Sequence, residues 1–165
     1  MLKCFSKGIT NGVIPMGGAV VKDEIYETML DEADNPIELF HGYTYSGHPI
    51  AAAAGLATLD IYKEEELFKR ASELAPYMES AAHSLKDANH VIDIRNIGLV
   101  GAIELETIPG EPTKRAMNAM VKAFEKGLLI RTTGDIIALS PPLIIEKSEI
   151  DQIFETVSGV LKDLD

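Results

Sequence analysis

"VIDIRNIGLVGAIEL", residues 91 to 105, is the stretch on which the fold turns. Apolar and polar residues alternate on either side of Gly98, the period-two pattern of half-buried strands, and the glycine permits a sharp reversal. Two short strands around Gly98 are therefore expected. Helical patterns flank them. Residues 65 to 86 place Leu67, Phe68, Ala71, Leu74, Ala75, Met78 and Ala82 at helical spacing, with Pro76 expected to kink or divide the helix. Pro112 opens and Gly127 closes a second helix, whose buried face is predicted as Met117, Met120, Val121 and Phe124. "LLIR" and "DIIALSPP" read as two more strands joined by the turn "TTGD". A last helix starts near Ser148, with Asp151 as its capping-box partner, and runs to Leu161 or Leu164. The sum is a small sheet covered by helices, an α/β or α+β domain.

Upstream the pattern is more broken. "GGAVV" reads as a short buried strand, and "KDEIYETML" as an amphipathic helix with Ile25, Met29 and Leu30 on one side. "DEADNPIELFHGYTYSGHP" is a loop punctuated by Pro36, Gly42, Gly47 and Pro49. Residues 49 to 63 form a helix with Pro49 in its first turn. Its alanines and Gly55 admit another backbone closely, and it is expected to be buried on most sides. The chain opens with "LKCFSKG", a strand end with no preceding element to pair with, so it reads as a piece of something longer.

The composition narrows the classes. With 165 residues, 46% apolar and 25% charged, the chain suits one soluble domain with a real core. Its 26 acidic against 15 basic residues give a net charge of −11, which disfavours nucleic acid and anionic lipid as partners. Cys4 is the one cysteine, so no internal disulfide forms and a reducing compartment fits. "PIAAAAGLATL" falls short of the roughly 20 apolar residues that span a bilayer. The N-terminus lacks the charged, apolar and small-residue order of a signal peptide, so a cytoplasmic location is expected. Four histidines without paired spacing suggest no metal site.

Three segments offer chemistry. "FSKGITNGVIPMGG" sets Lys7 among glycines and Pro15. A lysine amine condenses with an aldehyde to a Schiff base, which demands an anchored side chain and a backbone that stays out of the way. On spacing alone, a plain surface lysine is the commoner meaning. In "GYTYSGHP", the Thr44 hydroxyl and backbone amides precede a helix N-terminus, an arrangement suited to phosphate; a packing loop rich in aromatics is the rival reading. His48 there reads as a packed or capping histidine. Arg131 sits at a strand end beside a turn, where a guanidinium can clamp a carboxylate bidentately or simply face solvent. Asp60, Glu64, Glu65, Glu66 and Glu79 read as solvated helix faces.

Taken in order, "FSKGITNGVIPMGG", "FHGYTYSGHPIAAAAGLATLDIY", "VIDIRNIGLVGAIEL" and "GLLIRTTGDIIALSPPLII" resemble the C-terminal part of class III (fold type I) pyridoxal-phosphate-dependent aminotransferases, specifically the ω-amino acid–pyruvate branch. The resemblance covers almost the whole chain. It implies that residues 1–48 end a large cofactor-binding domain, 49–62 form a connecting helix, and 63–165 a small C-terminal domain. Lys7 matches the lysine that carries pyridoxal 5'-phosphate covalently and moves the proton at the substrate Cα. Thr44, with Tyr43 beside it, matches the segment binding the cofactor phosphate of a neighbouring subunit, which implies a homo-oligomer, a dimer or larger, with shared sites. Arg131 matches the arginine that holds an α-carboxylate and swings away from substrates lacking one. The implied reaction moves an amino group between a small amine or ω-amino acid and a pyruvate-like acceptor. Family members carry a further segment before this lysine, with the phosphate loop, the ring stacked on the cofactor and the aspartate paired with its nitrogen. The alternative is a catalytically incompetent fragment that folds as a small self-associating domain. An aminomutase or decarboxylase is the weaker family variant, because Arg131 suits two alternating substrates.

Overall fold

The structure is a computed structural model and describes residues 2–31, 42 and 44–164. The chain divides into two compact units, Met1–Glu66 and Leu67–Asp165. In the first, strands β1 (Leu2–Ser6) and β2 (Gly17–Val21) pair antiparallel, from Leu2 opposite Val21 to Ser6 opposite Gly17. The opening strand thus pairs forward across its own loop. Gly18 makes room for the Phe5 ring opposite it, since a Cβ there would stand 2.5 Å from that ring and turn it aside. All five β2 residues are exposed, contrary to the expected buried strand. An apolar pentapeptide signals a strand, but burial depends on what else covers the ribbon.

Helix α1 (Asp23–Asp31) carries Asp23 and Glu24 in its first turn, where negative charge suits the helix dipole. Ile25 and Leu30 are half-buried, while Met29 is exposed. Helix α2 (Pro49–Glu64) begins as expected with proline in the first turn, and the His48 Nδ1 accepts the Ile50 N–H at 3.2 Å. His48 is a cap. Within α2 only Ala51, Gly55 and Thr58 are buried, while Ile50, Leu56, Leu59 and Ile61 are exposed, so one stripe rather than most of the surface is covered.

The second unit holds helix α3 (Leu67–His83), strands β3 (Val91–Ile97) and β4 (Val100–Leu105), helix α4 (Lys114–Glu125), strands β5 (Arg131–Thr133) and β6 (Ile136–Leu139), and helix α5 (Lys147–Lys162). The sheet order is β3-β4-β6-β5 and every neighbouring pair is antiparallel. Gly98 turns the β3–β4 hairpin at φ +56°, as its sequence promised. Along β4, Gly101, Ile103 and Leu105 point into the core and alternate with wetter neighbours. They meet Ile137 and Leu139 of β6, Met78 of α3 and Ile150, Phe154 and Val157 of α5. The expected sheet covered by helices is what forms.

Three helix details differ from the sequence reading. α3 runs unbroken through Pro76, because Leu74, Met78 and Ala82 on one face bury together in the core. The buried face of α4 is Arg115, Ala116, Ala119 and Ala123, while Met117, Val121 and Phe124 are exposed and Met120 is half-buried. Small side chains let α4 approach the sheet and α5 closely, which bulk would prevent. α5 starts at Lys147, and its capping box joins Glu146 to Glu149, not Ser148 to Asp151. Asp151 instead accepts the Tyr77 hydroxyl at 2.6 Å, linking α5 to α3. Beside it, Arg70 Nη2 donates to Ile145 O at 2.7 Å and Glu146 Oε1 at 2.8 Å, fixing the segment that enters α5.

Candidate active site

Lys7 is the first residue of a 3₁₀ turn, Lys7–Ile9, directly after β1, and it is exposed. Its φ is +57°, in the left-handed region that residues with a Cβ seldom enter. Asn11 at +49° and Gly12 at +77° share it. A non-glycine residue held there costs roughly 1–3 kcal/mol and persists where its surroundings over-determine it. Those surroundings begin with Thr10, which is 2% exposed. Its N–H donates to Lys7 O at 3.2 Å, its hydroxyl to Ile14 O at 2.7 Å, and its carbonyl accepts the Val13 N–H at 3.0 Å. From α2, the Tyr62 hydroxyl donates to Gly8 O at 2.6 Å and stands 3.0 Å from Asn11 Oδ1. A Cβ at Gly8 would come within 3.3 Å of that hydroxyl, and one at Gly55 within 3.5 Å of the Met16 sulfur. The glycines around Lys7 therefore serve close approach as well as turning.

Thr44 lies exposed in the turn at residues 44–47, ahead of the α2 N-terminus; Tyr43 lies outside the described residues. Gly47 closes this turn at φ +71°. Residues 14–17, which follow the Lys7 loop, and residues 45–48 line one cavity of about 430 Å³. The lysine loop and the threonine turn are thus neighbours within the first unit.

Arg131 belongs to the second unit. It opens β5 opposite Ala138, is exposed, and lines a cavity of about 860 Å³ with Met117, Met120, Leu129, Leu139 and Ile153. No carboxylate pairs with it among the described residues. Lys126, Thr132, Glu149 and Gln152 share this lining, and an exposed arginine without an internal carboxylate partner can hold a small carboxylate from outside. The hairpin carrying it is anchored at its turn. Asp135 Oδ2 accepts the Thr107 hydroxyl at 2.8 Å and the Thr113 N–H at 3.0 Å, so this carboxylate caps α4 from another element. Thr113, at φ +72°, makes no cap bond with its own side chain. Burial raises the Asp135 pKa, but the N–H of Thr113, the Thr107 hydroxyl, the Ala116 N–H and the Arg115 charge outweigh it and hold the carboxyl below its ordinary value.

The class-III aminotransferase family matches residues 2–161. This chain belongs to the class-III aminotransferases. Among curated relatives, an omega-aminotransferase of Caulobacter vibrioides is 58% identical over 164 residues, 99% of this chain and 37% of that protein. A beta-alanine–pyruvate aminotransferase of Pseudomonas aeruginosa is 41% identical across 96% of this chain and 36% of its own length. Among solved structures, a thermostable omega transaminase mutant from Pseudomonas jessenii superposes with TM-score 0.90 at 29% identity, covering 98% of this chain and 37% of its own. An (S)-enantioselective omega-transaminase from Thermomicrobium roseum gives 0.86 at 34% identity, again over 98% and 37%. The chain therefore spans little more than a third of the length of these class-III relatives, 36% or 37% of each.

Sequence reasoning singled out Lys7, Thr44 and Arg131 but missed Tyr62, Asn11 and Asp135. Tyr62 had one available signal: it continues the stripe Ala51, Gly55, Thr58 at helical spacing. Asp135 had none, since its partners lie 22 and 28 residues away. Among the described residues, no group of three or more His, Cys, Asp or Glu gathers to hold a metal, and no helix is long and apolar enough to cross a membrane.

Proposed function

We propose that this chain forms part of an aminotransferase that moves an amino group between an amine or ω-amino acid and pyruvate, working with pyridoxal 5'-phosphate. The observation that carries the reading is Lys7: an exposed amine on a left-handed, glycine-framed turn, in a chain 58% identical to an omega-aminotransferase. The donor set fits the cofactor on two counts. A primary amine suits its aldehyde, and a threonine hydroxyl before the α2 N-terminus suits its phosphate. When bound, pyridoxal phosphate supplies a carbonyl carbon and an electron sink that acidifies the substrate Cα.

The chain's residues take the remaining roles. Lys7 Nζ would hold the cofactor through its aldehyde carbon and, when free, would accept and return the proton at the substrate Cα. Thr44, with Tyr43, binds the phosphate in a dimer whose subunits share sites. Arg131 orients the acceptor by its carboxylate. Residues 1–48 belong to the cofactor-binding domain, 49–62 to the connecting helix and 63–165 to the small domain of such an enzyme. Borohydride reduction in the presence of pyridoxal phosphate, followed by peptide mapping, tests this. Lys7 takes the label; a label on another side chain, or undiminished labelling after Lys7→Ala, overturns the assignment.

A further inference from the structure

We infer that Tyr62 is a positioning residue for Lys7, acting through the Gly8 carbonyl; the inference rests on the role proposed above for Lys7. Residues 51, 55, 58 and 62 recur at four and three positions and form one stripe along α2. On that stripe Ala51, Gly55 and Thr58 are buried, and Gly55 admits Ile9 and Met16 of the Lys7 loop. Tyr62 ends the stripe with the polar group that reaches furthest. Its hydroxyl has one proton, which the Gly8 carbonyl takes at 2.6 Å. Asn11 Oδ1 lies 3.0 Å from the same hydroxyl and shares its proton with the Gly8 carbonyl. One phenol therefore ties both ends of the turn, across 54 and 51 residues of chain.

The Thr10 bonds have a different reach. Thr10 uses its N–H on Lys7 O and its hydroxyl on Ile14 O, which closes the turn upon itself without fastening it to a helix. Lys7 and Asn11 are the non-glycine residues of the loop at positive φ, and Gly8 follows directly on Lys7, so the Tyr62 hydroxyl acts on the peptide next to the strained residue. Releasing that carbonyl lets the turn relax toward ordinary φ values and moves the amine. Gly8 and Asn11 are exposed, so water satisfies the released groups and the unit keeps its fold. What changes is the place of Nζ.

The test uses the intact enzyme that contains this chain. Tyr62→Phe removes the hydroxyl and keeps the ring; Gly8→Ala instead places a methyl 3.3 Å from an unchanged Tyr62 and pushes the bond open. Either substitution slows capture of pyridoxal phosphate by the cofactor-free enzyme, followed by absorbance, roughly tenfold, and lowers kcat by about as much, while KM for pyruvate stays unchanged. The unfolding midpoint of Tyr62→Phe stays at the wild-type value. Unchanged capture and kcat in both variants, with borohydride labelling on Lys7 in wild type, overturns this inference alone. A loss of kcat that follows lost thermal stability while capture is unchanged also overturns it, since the phenol is then merely structural. Wild-type labelling away from Lys7 overturns the reading of Lys7 first, and this inference with it.

Discussion

Replacing Asp135 with alanine removes the carboxylate that ties the turn of the Arg131 hairpin to the start of α4. Two bonds are lost from Oδ2, one from the Thr107 hydroxyl at 2.8 Å and one from the Thr113 N–H at 3.0 Å. A helix-capping acceptor is worth about 1 kcal/mol and an ordinary hydrogen bond about as much. Against this, Oδ1 is buried without a hydrogen bond of normal geometry, a cost that the Ala116 N–H offsets in part and that alanine removes. The net loss expected is about 1–2 kcal/mol. Asp135→Asn keeps an accepting oxygen and costs less. Guanidinium denaturation followed by far-UV circular dichroism measures both.

The pH dependence has a fixed sign. The folded carboxyl lies below its ordinary value, burial being outweighed by the Thr113, Thr107 and Ala116 donors and by Arg115. Its contribution is therefore complete above the unfolded pKa of about 3.9 and is lost as pH falls through the lower folded value. The gap between wild type and Asp135→Asn should persist at neutral pH and close in acid. An alanine variant within about 0.5 kcal/mol of wild type, or an asparagine variant as costly as alanine, refutes the capping role.

Met78 is fully buried and lies against the position where Gly101 lacks a side chain, so Met78→Ala is expected to cost about 2–5 kcal/mol in denaturation; less than 1 would place the core elsewhere. Gly127 closes α4 at φ +84°, and Gly127→Ala should cost about 1 kcal/mol despite open space around it, because the strain is in the backbone. Arg131→Ala is expected to raise KM for pyruvate roughly 10- to 100-fold, the value of a charge-assisted hydrogen-bonded pair, with KM for an amine lacking a carboxylate unchanged. Equal rises in both would show that Arg131 shapes the pocket instead of holding the acceptor.

Much of the second unit could be read from residue patterns. The alternation in β3 and β4, Gly98 between them, and Gly127 after α4 each encode local geometry, and local geometry is set by neighbours in the chain. The errors fall where packing decides. The exposed Met117, Val121 and Phe124 were predicted as the buried face of α4 because bulk apolar residues at helical spacing look like a core. The alanine face won, since only small side chains permit the close approach to α5 and the sheet. Pro76 reads as a helix breaker, yet α3 continues because its buried face outweighs one missing backbone bond.

The site divides in the same way. Lys7, Thr44 and Arg131 sit beside glycines, turns and element ends, local patterns that left bland readings open until the family resemblance singled these residues out. Tyr62 and Asp135 act across tens of residues on a backbone carbonyl or amide, and a backbone acceptor leaves no mark in the amino-acid order. Residue order determined which elements form and where the Lys7 amine and the Arg131 guanidinium sit along them. The tertiary structure decided which helix face is buried and which distant hydroxyl or carboxylate holds each loop in place. Hydrogen bonds and close packing depend on distance in space, and only the folded chain sets that distance.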